Sequence, residues 1–287
     1  MKLLQIILAH FSEFLLIRPR HLFLQRTIFL ALLSFSLSTE LCIAQVQMKD
    51  TKQQRILIAA ASDVRYALDL MIANYFKETG QAVKVSYGSS GNFYQQIMQG
   101  GDYDILMMAD EQYIFRLSEQ RKTLDQGVVY GQGRLVLFIP KPILEKWPNL
   151  LSPNLLEFGN ALKDGRIRSL AIANPAHAPY GVAAEQTLKS AQLWEIAVPK
   201  LILGENASQA TQFAISGSVQ GGLIPLALAK HSTVQQKGGY VLIPPSAHLS
   251  LIQRMALSSG ASSGAKEFYV YLQTEKSQKI FKEFGFE

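Results

Sequence analysis

Small polar residues stand where two short apolar runs of the sequence end, and their types suit the binding of an anion. Ser62 and Asp63 follow the run 56–61, and the stretch 89–92 (SSGN) follows the run 83–87. If each run is a strand followed by a helix, these residues lie at the carboxyl edge of a sheet, where ligands bind in open α/β folds. The first N–H groups of a helix have no partner within it and carry the positive end of its dipole. The same residue types are ordinary helix caps, so the spacing alone leaves both interpretations open.

A second pattern, G-x-S-x-G, occurs at 260–264 (GASSG) between a predicted strand and a predicted helix. This is the setting of a hydrolase nucleophile elbow, a fold in which an acid and a histidine follow the serine. No histidine follows Ser262. The sequence therefore favours a Ser/Gly turn over an enzyme, and we expect no catalytic residue.

Histidine ligation of a metal is another alternative. His177, His231 and His248 lie far apart in the sequence, and none belongs to a paired-ligand motif. We interpret them as surface or capping residues and predict no direct coordination of a metal by protein side chains.

The elements that position these residues follow from the apolar pattern. Short apolar runs alternate with segments of helical period, which predicts βαβ units and an α/β fold with mostly parallel sheets. The clearest helix carries apolar residues at helical spacing from Val64 to Phe76, and Gly80 is expected to cap its end. Strands are predicted at 56–61, 83–87, 105–109, 135–139, 170–174, 201–203, 222–226, 240–243 and 252–257.

The N-terminus has the layout of a secretory signal peptide. Three arginines precede the apolar run 28–37, and small residues then lead to a cleavage site expected after Ala44. The apolar run is too short to span a membrane, which takes ~20 apolar residues. Glu40 stands where a lipoprotein signal needs a small residue, which disfavours Cys42 as a lipid anchor.

Removal of residues 1–44 leaves 24 basic and 20 acidic residues, a net charge of +4. This mild and diffuse excess does not argue for nucleic acid as a partner. The only cysteine, Cys42, leaves with the signal, so the mature chain can form neither a disulfide nor a thiolate metal site.

Seven segments, in order along nearly the whole mature chain, resemble the periplasmic molybdate-binding proteins of ABC importers. Seven ordered blocks are far more specific than one Gly-Ser loop. They are AAASDVRYALDLM (59–71), VSYGSSGNFYQQI (85–97), YDILMMADE (103–111), GRLVLF (133–138), LAIANPAHAPYGVAAEQTL (170–188), KLILGENASQATQF (200–213) and IFKEFGF (280–286).

The resemblance implies a two-lobed periplasmic binding protein fold of type II, with the ligand in the interlobe cleft. Lobe I is expected to comprise residues 45–134 plus 248–287, and lobe II residues 135–247, with the hinge at the two crossings. Five residues are expected to bind the oxyanion. Ser62 and Ser90 would donate hydroxyl and backbone N–H groups from lobe I, together with the backbone N–H of Asp63. Tyr180 would donate its phenol and Ala207 its backbone N–H from lobe II.

Two positions depart from the family pattern. Some members have a tyrosine where this chain has Ile224-Pro225-Leu226, and we expect Tyr180 to substitute for it. A carboxylate at Asp63 would repel a dianion by roughly 4 kcal/mol at ~4 Å with an effective dielectric near 20. Its side chain is therefore expected to cap the helix and to face away from the ligand.

The function implied by the resemblance is capture of molybdate or tungstate and delivery to an ABC permease in the inner membrane. The alternative is a receptor for another tetrahedral oxyanion, such as phosphate or sulfate. Phosphate is the more serious of the two, because Asp63 can accept the proton of hydrogen phosphate. The binding residues Ser62, Ser90, Tyr180 and Ala207 would meet the metal only through the oxygens of the anion. We expect a periplasmic monomer with no cofactor.

Overall fold

The computed structural model describes residues 55–152 and 154–287. The predicted signal peptide and residues 45–54 of the predicted lobe I lie outside these ranges. No helix within the described ranges combines the length and the apolar character needed to cross a membrane.

The described residues form two five-stranded sheets. Their orders are β2-β1-β3-β10-β4 and β7-β6-β8-β5-β9. The strands are β1 (Ile56–Ala61), β2 (Val83–Gly88), β3 (Ile105–Met108), β4 (Val128–Gly133), β5 (Leu135–Pro140), β6 (Leu170–Ala173), β7 (Leu201–Gly204), β8 (Gly221–Pro225), β9 (Gly238–Leu242) and β10 (Leu251–Leu257).

One strand in each sheet runs against the other four. In the first sheet β1 pairs in parallel with β2 and β3, whereas β10 is antiparallel to both β3 and β4. In the second sheet β6 pairs in parallel with β7 and β8, whereas β5 is antiparallel to both β8 and β9. The predicted α/β class with mostly parallel sheets is therefore confirmed.

Helices cover both faces of each sheet. They are α1 (Arg65–Thr79), α2 (Ser90–Met98), α3 (Glu111–Glu119), α4 (Lys141–Lys146), α5 (Leu156–Lys163), α6 (Pro179–Ser190), α7 (Trp194–Ala197), α8 (Ala207–Ser216), α9 (Leu226–Ala229), α10 (Ser232–Gln235), α11 (Ser263–Tyr271) and α12 (Glu275–Glu283). Successive side chains of a strand point to opposite faces, so each sheet has two apolar cores. Ile58 and Ala60 of β1 pack in one core of the first sheet, and Ala59 packs in the other.

Helix α1 shows how the sequence pattern positions the first polar turn. A 3-10 turn, Ser62–Val64, joins β1 to α1, and Gly80 ends the helix with a left-handed φ of 72°. Leu68 and Met71 are fully buried, as predicted, whereas Phe76 is 54% exposed and lies outside the core. The helix begins directly after the turn, so the turn is fixed at the carboxyl end of β1.

The chain crosses between the two sheets twice. Arg134 alone separates β4 from β5, and residues 243–250 connect β9 to β10. The lobe limits predicted at 134/135 and 247/248 fall within these two connections and remain a prediction of where the lobes divide. We refer below to the parts built on the first and second sheets as lobe I and lobe II.

Candidate functional site

A small pocket lies between the lobes, and all five residues predicted to bind an oxyanion line it. Four of the five come from strand-to-helix turns, and Tyr180 lies in the first turn of α6. The lining residues are Ala61, Ser62, Asp63, Gly88, Ser89, Ser90, Ala109, Ala178, Pro179, Tyr180 and Ala207.

Four helix starts converge on this pocket. Ser90 is the first residue of α2 and Ala207 the first residue of α8, while Tyr180 is the second residue of α6. The turn at Ser62 leads into α1. Each helix start offers N–H groups that lack an intrahelical partner, together with the positive end of the dipole. No Lys, Arg or His is among the described residues that line the pocket, so the positive potential comes from the backbone.

Ser62 links the two lobes directly. Its hydroxyl donates to Asn206 Oδ1 at 3.1 Å and accepts from the Ser208 N–H at 3.0 Å. The Ser208 hydroxyl in turn donates to the Ser62 carbonyl at 2.9 Å. Asn206 also caps α8, since its Oδ1 accepts from the Gln209 N–H. The lobes are therefore closed against each other at the pocket.

Ser90 is fully buried, and its hydroxyl accepts from the Ala109 N–H at 3.0 Å. The hydroxyl proton is not used in that bond and remains available to an acceptor in the pocket. The neighbouring Ser89 caps α2 through its Oγ, which accepts from the Asn92 N–H. Ser90 is thus held in place by the residue that follows β3 and by its own helix.

His177 forms a second contact between the lobes. Its Nδ1 lies 2.9 Å from Ser89 Oγ, its carbonyl accepts from the Gly91 N–H at 2.9 Å, and its Nε2 lies 3.6 Å from Glu205 Oε2. The prediction of a surface or capping residue is therefore wrong for His177, whereas His231 does cap α10. Within the described residues, no group of three or more His, Cys, Asp or Glu side chains is arranged to hold a metal.

Asp63 does not cap its helix, so that prediction is wrong. Neither the Ser62–Val64 turn nor α1 has a side-chain cap, and Asp63 is only 1% exposed. Its Oδ2 accepts from Gln253 Nε2 at 2.6 Å, and its Oδ1 has no hydrogen-bond partner in the described part of the chain. The physical reason is that β10 supplies a buried amide donor beneath the turn, which competes with capping.

Asp63 belongs to a buried polar cluster that we define as Asp63, Tyr130, Tyr180 and Gln253. Tyr130 Oη donates to Gln253 Oε1 at 2.5 Å, and Gln253 Nε2 donates to Tyr180 Oη at 3.2 Å. Burial, and then the charge of Asp63, raise the pKa of the Tyr180 phenol well above its usual value, so the phenol stays protonated. Tyr180 lines the pocket as predicted, but its phenol is also part of this cluster.

The pocket is narrow. The cavity volume is about 10 Å³, which is about the volume that holds one water molecule. A five-atom oxyanion therefore fits only if the walls of the pocket move apart.

Comparison with known proteins identifies the family. Residues 56–287 match the family model of bacterial extracellular solute-binding proteins. The chain belongs to this family. The solute-binding protein described here is 28% identical over 234 residues to the molybdate-binding protein ModA of Azotobacter vinelandii, covering 80% of this chain and 89% of the relative. It is 27% identical over 241 residues to ModA of Rhodobacter capsulatus, covering 80% of this chain and 87% of the relative.

A solved structure is similar to this chain over most of its length. The periplasmic molybdate-binding protein of Azotobacter vinelandii superposes with a TM-score of 0.72 at 26% identity, covering 81% of this chain and 98% of that chain. The predicted two-lobed periplasmic binding protein fold is therefore confirmed. Membership of this family places the solute-binding protein outside the cytoplasm.

The GASSG segment of the solute-binding protein is a helix start. Ser262 caps α11, since its Oγ accepts from the Ala265 N–H, and its own N–H donates to Asp104 Oδ1 at 2.9 Å. The serine hydroxyl is thereby used in the turn, in agreement with the Ser/Gly turn expected from the sequence.

Sequence reasoning missed four residues at the site of the solute-binding protein: Asn206, Ser208, Tyr130 and Gln253. One signal was present for Gln253, because a glutamine in the apolar strand LIQRMAL is unusual, and Gln253 is fully buried. Tyr130 lies on β4, the strand that the pattern did not predict. The other two lie beside Ala207 in the GENAS turn, and the family resemblance assigned only Ala207 of this turn to the ligand.

Gly133 leaves room for the polar cluster at the crossing between the lobes. A β-carbon at this position would overlap Tyr180 Oη and lie 2.6 Å from Gln253 Nε2. We expect Gly133→Ala to lower the free energy of unfolding by about 1–3 kcal/mol, the usual cost of overpacking, as measured by urea denaturation. The matched control is Gly260→Ala, because a β-carbon added there would meet no atom of the described residues within 4 Å. Equal stability of the two variants would contradict the close packing at Gly133.

Proposed function

We propose that this solute-binding protein captures molybdate or tungstate outside the cytoplasm and delivers it to the permease of an ABC importer. The observation that carries the proposal is the convergence of four helix starts and the buried Ser90 hydroxyl on one interlobe pocket. This arrangement suits a tetrahedral oxyanion, and it occurs in a chain similar to molybdate-binding proteins. The proposed binding residues are Ser62, Asp63, Ser90, Tyr180 and Ala207.

Recognition in this proposal relies on neutral donors. Hydrogen bonds to a charged acceptor are roughly twice as strong as neutral ones, and they strengthen when the closed lobes exclude water. The metal of the anion is met only through its oxygens, so the mechanism uses no cofactor and no metal–ligand bond to the protein. The protein is proposed to bind and release its cargo unchanged, and it is not proposed to be an enzyme.

Closure of the lobes is proposed to complete the site. Ser62 already joins Asn206 and Ser208 across the cleft, and His177 joins Ser89 and Gly91. An anion enters when the lobes separate, and the contacts of His177 then close the lobes again over the occupied site. A ligand shifts this equilibrium only through contacts that it makes in the closed state. The permease is proposed to recognise that closed state.

We also propose how the protein is exported and in which assembly it acts. The signal peptide is cleaved after Ala44, the mature protein resides in the periplasm, and it acts as a monomer. The permease is its one protein partner.

A thermal shift experiment on the purified mature protein tests the ligand. Molybdate and tungstate are expected to raise the melting temperature, whereas sulfate at the same concentration is not, because a smaller anion leaves donors unsatisfied. Ligand at ~100 times its Kd adds ~2.7 kcal/mol to the free energy of unfolding. The absence of a shift with molybdate and tungstate would contradict the proposal.

Phosphate is the second candidate, and one observation favours it. The Oδ1 of Asp63, which has no partner in the described part of the chain, can accept the proton of hydrogen phosphate, which a fully ionised dianion does not offer. A melting-temperature shift with phosphate alone would establish this candidate in place of molybdate.

A further inference from the structure

Asp63 is a carboxyl group in the wall of a pocket proposed to bind an anion. Its Oδ2 is held by Gln253 Nε2 at 2.6 Å. Its Oδ1 is buried and has no partner among residues 55–152 and 154–287. A buried polar atom without a hydrogen-bond partner destabilises the folded protein unless a bound group forms a hydrogen bond with it. Asp63 lies on the pocket wall, where an anion bound in the pocket would come close to its carboxyl group.

The orientation of Gln253 is fixed by its neighbours. Its Oε1 accepts from the Tyr130 phenol, so its Nε2 must face Asp63 and Tyr180. An amide nitrogen only donates, and Asp63 Oδ2 is therefore always the acceptor in this contact. A proton on Asp63 is consequently carried by Oδ1, the oxygen without a partner among the described residues.

The described surroundings of Asp63 offer no compensating positive charge. The titratable groups that face it are the phenols of Tyr130 and Tyr180, and burial raises the pKa of both well above the usual range. Helices α8 and α9 pack against the Ser62–Val64 turn and contain no charged residue. On α1, which also packs there, Arg65 lies over the Tyr87 ring, 4.6 Å from its centroid, and Asp69 accepts from the phenol of Tyr87.

Burial raises the pKa of the Asp63 carboxyl to about 6, and the Gln253 amide, the Tyr180 phenol and the nearby backbone N–H groups of Asp63 and Val64 only partly offset this effect. At neutral pH the free protein therefore carries an ionised carboxylate in the pocket. A dianion and this carboxylate cannot share the site without a proton between them.

We infer that Asp63 makes anion capture proton-linked. A dianion is bound together with one proton, which stays on Asp63 Oδ1 and forms a hydrogen bond to an oxygen of the anion. The inference rests on the proposed function. The proton comes from solvent, so each dianion bound to the ionised protein takes up one proton and no covalent bond of the anion changes. Asp63 is then a specificity-determining residue that ties affinity to the pH outside the cell membrane.

Calorimetric titration of the mature protein with sodium molybdate between pH 5 and pH 8.5 tests the inference. Above the carboxyl pKa, linkage requires the Kd to rise about tenfold per pH unit. Repeating the titration at pH 7.5 in buffers of different ionisation enthalpy gives the number of protons taken up, which is expected to be close to one. A Kd that stays constant from pH 6.5 to 8.5, with no proton uptake, would overturn the inference.

Asp63→Asn is the decisive variant. The asparagine Oδ1 can accept from Gln253 while its Nδ2 donates to the anion, as the protonated carboxyl would. We expect a Kd that does not change with pH, no proton uptake, and binding about tenfold or more tighter than wild type at pH 8. The control Asp102→Asn changes an exposed carboxylate and is expected to keep the wild-type slope. A wild-type slope in Asp63→Asn would contradict the role of Asp63.

Two measurements keep the outcomes distinct. If Asp63→Asn does not fold, the infrared difference spectrum of wild-type protein at pH 7.5 with and without molybdate still reports whether a carboxyl becomes protonated. Lack of that signal would overturn the inference. Failure of molybdate to bind wild-type protein at any pH from 5 to 8.5 would instead contradict the proposed function, whereas binding without proton uptake contradicts only the proton linkage.

Discussion

Asp63→Asn is expected to raise the free energy of unfolding of the ligand-free protein by roughly 3 kcal/mol at neutral pH. The pKa of this carboxyl is raised by burial from 3.8 to about 6, and each pKa unit corresponds to about 1.4 kcal/mol. At neutral pH the wild-type protein must keep an ionised carboxylate buried, and asparagine removes that cost while keeping an acceptor for Gln253.

The sign of the pH dependence follows from the same shift. Between pH 3.8 and about 6 the folded protein holds a proton on Asp63 that the unfolded chain has lost. The contribution of Asp63 to the free energy of unfolding therefore falls as pH rises through this window and stays lower above it. Urea denaturation of wild type, Asp63→Asn and the control Asp102→Asn at pH 4 and pH 7.5 isolates this contribution. Equal stability of wild type and Asp63→Asn at pH 7.5 would show that the carboxyl is not buried in the ionised form.

Gly91→Ala is expected to weaken molybdate binding by about 5- to 150-fold while leaving each lobe folded. The three atoms nearest to a β-carbon at Gly91 all belong to His177 in lobe II, and the carbonyl oxygen lies at 2.6 Å. Alanine is favoured over glycine within a helix, so the cost arises only when the lobes close. Overpacking of this kind costs about 1–3 kcal/mol. This cost destabilises the closed state and therefore weakens the binding of the anion by the same free energy.

Calorimetry and small-angle scattering check this prediction together. The variant is expected to need more molybdate than wild type to reach the same compaction. Gly264→Ala is the matched control, since it also lies in the first turn of a helix but has no atom of the described residues closer than 3.8 Å to the added carbon. Wild-type affinity in Gly91→Ala would mean that the bound state does not use the contact between Gly91 and His177.

The local sequence pattern was sufficient to locate a polar turn where the turn directly follows an apolar run. The turns after β1 and β2 were placed correctly because an apolar run and helix-start chemistry are both encoded within about ten residues. Bringing Ser62 and Ala207 to one pocket required more than local pattern. Their proximity was expected from the family resemblance, and the structure places both on the pocket wall.

The strand β4 (Val128–Gly133) was not predicted because its sequence, VVYGQG, contains two glycines and lacks apolar alternation. It is held as a strand by pairing with β10, more than 100 residues later. The orientation of Asp63 escaped prediction for the same reason. Its partner Gln253 is 190 residues away, so capping was the only contact that the local sequence offered.

The reliance of the pocket on helix starts has a consequence for how such a receptor changes over generations. A backbone N–H survives every substitution except proline, so the attraction for anions persists while side chains drift. In the proposed function, the few side chains on the wall, such as Ser62, Asp63 and Tyr180, decide which anion is preferred. The product of a duplicated gene can therefore acquire a new ligand preference by single substitutions at these positions, while its backbone N–H groups still attract an oxyanion.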